Sequence, residues 1–111
     1  MKMERSALEG ARLAALHSYQ ILYTESEAPF DALIERARTL CDTPIALISL
    51  IDADRQWFKA RIGIEDCETP LETSVCAIAI RQGYLFQIED LAADPRTARM
   101  TLVLGGPRIR F

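Results

Sequence analysis

Residues 44–63 read PIALISLIDADRQWFKARIG, two β-strands folded back on each other around a polar turn. Ala46, Ile48 and Leu50 alternate with Ile45, Leu47, Ser49 and Ile51, so both faces of the first run are largely apolar, the pattern of an interior strand. Asp52, Ala53, Asp54 and Arg55 supply turn chemistry. Trp57, Lys59 and Arg61 then alternate with Phe58, Ala60 and Ile62, a period of two that fits a half-covered strand. Trp57 and Phe58 send large rings to opposite faces, one expected in the core and the other against a neighbouring helix.

On the N-terminal side, Leu8, Ala11, Ala15, Leu16 and Tyr19 recur at helical spacing and predict a helix over 4–18, with Glu4, Arg5, Glu9 and Arg12 on its wet side. Such a stripe needs cover, from its own domain or from a second copy. Residues 1–22 are thus expected to form an N-terminal helix and its connector, and 23–111 the domain proper. Ser26 or Glu27 can open a second helix with Pro29 in its first turn, and Phe30, Leu33, Ile34, Ala37, Leu40 and Cys41 fall on one face. Pro44 biases Thr43 towards extended geometry and ends that helix.

On the C-terminal side, Glu65 to Leu71 reads as an irregular loop, and Thr73 or Ser74 can cap a third helix running to about Arg81, with Gly83 as its stop. Tyr84 to Ile88, YLFQI, predicts a third strand. Asp94 and Pro95 have cap and first-turn character for a fourth helix through Arg99 or Met100, and Ile109 to Phe111 begin to alternate. The fold class is therefore α+β, an antiparallel sheet flanked by helices.

At 111 residues the chain makes one domain at most, with roughly two-thirds of its unfolded surface available for burial. A net charge of −3, with Lys and Arg scattered along the chain, argues against a nucleic-acid surface. MKMERSALEG lacks the apolar core of a secretory signal, and no window approaches the ~18 apolar residues of a membrane span, so a cytoplasmic protein is expected. Cys41, Cys67 and Cys76 are odd in number and widely spaced, which suggests neither a disulfide framework nor a zinc site; no metal is expected.

In order along the chain, RLAALHSYQIL (Arg12 to Leu22), FDALIERARTLCDTPIALISLIDADRQWFKARIG from Phe30, SVCAIAI (Ser74 to Ile80), LAADPRTA (Leu91 to Ala98) and the closing GPRIRF resemble a GAF domain, a small-molecule sensing module of bacterial signalling proteins. The resemblance covers nearly the whole chain through an ordered set of segments, none specific alone. It departs from the family at Tyr23, where an Asp is common, and at Ile78, where a His or Arg often stands. Family members also continue for two further strands and a closing helix, so the resemblance implies a GAF/PAS-like sheet incomplete at its C-terminus. The missing neighbours would leave the first hairpin with an open edge, to be filled by helix pairing or strand exchange in a homodimer.

The resemblance implies a regulatory domain rather than an enzyme, in a parent such as a histidine kinase, diguanylate cyclase or phosphodiesterase. An unknown small molecule would enter between the sheet and the third and fourth helices, with Trp57, Ser74, Cys76, Asp90 and Arg96 as its candidate contacts, no catalytic residue and no resident cofactor. Two other readings stand beside it: a ligand-free dimerisation module with the first helix as its seam, and a thiol-dependent reductase of free methionine sulfoxide using Cys76 with Cys67.

The residues weigh these readings as follows. Cys76 lies near a helix start, where a thiol can become reactive, but free Cys more commonly packs as a small apolar residue. Ala77 follows it where pigment-carrying relatives have a His. His17, the lone histidine, lacks a sequence neighbour that would make it catalytic, and reads as exposed or interfacial. Asp52 and Asp54 could suggest a metal pair, yet the turn reading accounts for both. Asp94 reads as a helix cap, and Arg96 as a surface charge able to hold an anionic ligand.

Overall fold

Trp57, Phe58, Lys59 and Ala60 are consecutive and all buried, the mark of a strand covered on both faces. The computed structural model describes residues 2–83 and 85–105. Helix α1 spans Lys2–Ser18 and α2 Ala28–Cys41; strands β1 (Ala46–Ile51), β2 (Arg55–Ile62) and β3 (Glu68–Pro70) follow, then a 3-10 turn at Leu71–Thr73, α3 (Val75–Ala79) and α4 (Thr101–Leu104). The strands form one antiparallel sheet in the order β1-β2-β3. The α+β class and the hairpin therefore stand as read.

The roles of the two hairpin strands are exchanged. The expected loop at 65–71 contains β3, which pairs Arg55 with Pro70, Gln56 with Thr69 and Trp57 with Glu68. β2 thus has neighbours on both edges and becomes the interior strand, while β1, apolar on both alternations, lies at the sheet edge and is half-buried along most of its length. Both rings, Trp57 and Phe58, are buried rather than one. The register shifts between Ile48 and Ser49 of β1, opposite Ala60 and Phe58, so Lys59 is the extra residue of a bulge.

Helix α2 starts as read, with Glu27 as its N-cap and Pro29 in the first turn, and ends where Asp42 takes a left-handed conformation at φ 52°. It lies on β1 and β2, but only Ile34 is fully buried; Leu33 and Leu40, assigned to the inward face, are exposed. Ser74 caps α3 by accepting from the Ala77 N–H at 3.0 Å. The hydroxyl also donates to Gln56 Oε1 at 2.7 Å, and Gln56 Nε2 donates to Thr69 Oγ1 at 2.8 Å, so a buried polar relay ties β2, β3 and α3 together.

Beyond α3 the sequence expectations fail in two places. Leu85 to Ile88 form no strand, Leu85 is 88% exposed, and Tyr84 lies outside the described residues; an extended run without a paired neighbour has nothing to hold it. Residues 91–100 form successive turns instead of a helix from Asp94, and helix geometry begins only at Thr101. There the Asp94 carboxylate accepts from the Arg96 N–H at 2.9 Å, and the fully buried Thr97 hydroxyl donates to the Leu91 carbonyl at 2.6 Å, local bonds that compete with a helical ladder. Leu91, Met100 and Val103 form a small core against Val75, Ile78 and Ile88. Ile109 to Phe111 lie outside the described residues.

Gly63 closes β2 at φ +83°, where a Cβ would collide with the carbonyl oxygen of Pro44. The chain passes too close there for any side chain. Gly63→Ala is expected to lose about 2 kcal/mol or more of stability, from left-handed strain plus backbone displacement, read as a lowered denaturant midpoint with unchanged slope.

Candidate functional site

A groove of about 740 Å3 runs beside the outer edge of β1. It is lined by Arg12 and Leu16 of α1, by Tyr19, Gln20, Ile21 and Thr24 of the connector, and by Glu27 and Phe30 at the start of α2. Ser49, Leu50 and Ile51 make the floor, and Ile80 closes one end. Among the described residues no strand pairs with that edge of β1.

Four of the polar side chains around the groove, Arg12, Thr24, Glu27 and Ser49, have partners within the protein. Arg12 donates from Nη1 to the Ile51 carbonyl at 2.6 Å and pairs through Nε and Nη2 with Glu9. Glu27 pairs with Lys59 Nζ at 2.7 Å. Thr24 accepts from the same ammonium at 2.7 Å, as does the Glu25 carbonyl at 2.6 Å, and the Phe30 ring lies 5.7 Å from it. The Lys59 side chain has no exposed surface, and these partners satisfy its three donors.

Next to the groove, the hairpin turn holds a second polar centre. Asp52 is buried; its Oδ1 lies 2.9 Å from His17 Nε2 and accepts from the Ala53 N–H at 2.8 Å, while Oδ2 accepts from the Tyr23 hydroxyl at 2.6 Å. The turn reading of Asp52 captured only the Ala53 bond. Asp54 points elsewhere and pairs with Arg55, so the two carboxylates do not share a site. Tyr23 also meets Trp57 edge-on at 5.6 Å. A lone His, a Tyr in the connector and an Asp at the strand end were each visible in sequence, but no local spacing relates residues 17, 23 and 52.

The five candidate contact residues do not gather around this groove. Trp57 is buried in β2, and Ser74 is committed to the Gln56 relay. Cys76 is half-buried on α3, its Sγ 3.5 Å from Ser49 Oγ, and so touches the groove only through a floor residue. Asp90 is exposed and accepts from the Ala92 N–H at 3.0 Å. Arg96 pairs with Asp94 at 2.7 Å and lies 5.1 Å from the Phe86 ring. Where a ligand was expected, between the sheet and the third and fourth helices, the Ser74–Gln56 bond joins α3 to β2. All three thiols are free, with Cys41 and Cys67 exposed. Among the described residues no helix is long and apolar enough to cross a membrane.

The bonds from Tyr23 and then His17 hold the Asp52 carboxyl down at about 2. Burial, and then the bond to Asp52, push the Tyr23 hydroxyl up to about 12. Asp52 binds fewer protons folded than unfolded, so its stabilisation is present above pH ~4 and is lost as pH falls through about 2. For Tyr23 the sign reverses: its stabilisation holds below pH ~10 and is lost as pH rises through about 12. Denaturant titrations across both windows are expected to show steeper losses for the native chain than for Asp52→Asn.

No family model matches this sequence. The chain is similar to the cyclic di-GMP phosphodiesterase PA2567 of Pseudomonas aeruginosa, 39% identical over 103 residues, which are 93% of this chain and 18% of that protein. The chain thus spans under a fifth of the curated relative it matches. The expectation of a protein that is not an enzyme is corrected by this finding, because the relative is named for a hydrolytic activity. The likeness is to one stretch of that bacterial protein and supports a role in signalling.

Proposed function

We propose that this chain is a GAF-type regulatory segment of a longer bacterial signalling enzyme that acts on cyclic di-GMP, and that a small molecule bound beside β1 adjusts that enzyme. The observation that carries the reading is similarity along 93% of this chain to a stretch amounting to 18% of a cyclic di-GMP phosphodiesterase. The ordered GAF-like segments and the helix-flanked antiparallel hairpin agree with it. Because Arg12, Glu27, Thr24 and Ser49 are engaged within the protein, recognition in the groove falls mainly to Leu16, Ile21, Phe30, Leu50 and Ile80, with the Tyr19 hydroxyl and the Gln20 amide as its polar groups. An uncharged, mainly apolar ligand fits such a lining.

The test uses the Pseudomonas phosphodiesterase. Deleting its matching stretch is expected to change the rate of cyclic di-GMP hydrolysis several-fold, and inserting this chain in its place to restore the original rate. A deletion without effect, or an insertion that restores nothing in a folded protein, refutes the reading. Native mass spectrometry tests the ligand separately: the chain should retain a small molecule that Leu50→Trp, filling the groove floor, excludes.

A second reading, a dimerisation platform, is favoured by Leu8 of α1 at 71% and Tyr19, just beyond it, at 77% exposure, together with the open edge of β1. It predicts a dimer by sedimentation that Leu8→Glu converts to monomer, with no retained ligand.

A further inference from the structure

We propose that Asp52 is the socket of a polar latch that docks α1 on the hairpin, and that opening the latch frees α1 as a unit while the sheet stays folded. No described side chain of α1, from Ala7 to Ser18, is fully buried; only Arg12, Leu13 and Leu16 are half-buried. A hydrophobic seam of the kind that welds a helix to its core is therefore missing from these residues. Among the described residues, α1 makes two side-chain hydrogen bonds to the body, Arg12 Nη1 to the Ile51 carbonyl and His17 Nε2 to Asp52 Oδ1. Both converge on consecutive residues at the end of β1. Tyr23 takes the second oxygen of Asp52, so helix and connector share one carboxylate.

The chain between latch and body is shaped as a hinge. Gln20 and Tyr23 sit at φ 52° and 59°, left-handed conformations that cost a residue with a side chain, so a change of backbone conformation there relieves strain. Immediately beyond, the buried Lys59 pins Thr24, Glu25 and Glu27 to β2. The motion is thereby bounded: an anchor at Lys59, a hinge at 20–23 and a latch at Asp52. Since Arg12 and Leu16 of α1 also line the groove, a molecule wedged there and a closed latch bias the same helix. That last link rests on the proposed sensing function; the latch itself does not.

Amide hydrogen exchange followed by mass spectrometry on the whole chain tests the latch without any ligand. His17→Ala is expected to speed exchange in residues 7–18 by about tenfold or more, the loss of one hydrogen bond to a charged group, while β1 and β2 keep their protection. Asp52→Asn should act in the same direction; if it unfolds the domain, His17→Ala, which removes only the helix-side partner, still decides. Four results overturn the proposal: an α1 unprotected in the native chain, unchanged α1 exchange in His17→Ala, equal loss of protection in sheet and helix, or release of α1 by Leu16→Ala but not by His17→Ala. None of these depends on whether the phosphodiesterase experiment succeeds.

Discussion

A lysine ammonium with no exposed surface, at a bulge in the middle strand of a sheet, has to be met by acceptors, and Lys59 is met by Thr24, Glu25 and Glu27. That requirement fixes the path of the connector across β2 and sets where α2 begins. On the other side of the sheet Gln56 makes the same demand, and Ser74 and Thr69 answer it. The two buried polar side chains of β2 thus decide which segments cover the sheet, while the apolar residues between them supply the adhesion.

The arrangement leaves one edge and one helix less secured. β3 covers one edge of β2 and β1 the other, but β1 itself ends the sheet, with the Arg12 guanidinium on the carbonyl of its last residue. The groove lies along that edge, and Arg12 and Leu16 of α1 line it.

The hairpin, α2 and the Ser74 cap were legible in sequence because each depends on near neighbours: alternation within a strand, Pro29 and Pro44 at helix boundaries, a hydroxyl three residues before the N–H it accepts from. The misreadings came where a partner distant in sequence decided. ETP at 68–70 is too short to announce a strand, yet once it pairs with β2 it makes that strand central and leaves the more apolar β1 at the edge. YLFQI has strand composition but no neighbour among the described residues, and LAADPRTA spends its Asp and Thr on local turns. Of the candidate contact residues, Trp57 is buried in β2 and Ser74 caps α3, while the groove is lined from α1, the connector and β1.

By itself the sequence determined the class of fold, the hairpin and its turn, and the limits of α2, since propensity, alternation and capping act within a few residues. Only the tertiary structure decided which strand is interior, where the groove lies, and that His17, Tyr23 and Asp52 meet. Those outcomes rest on pairings across 29 to 35 residues of chain, and burial in a shared space, not spacing along the backbone, is what brings such groups within hydrogen-bond reach.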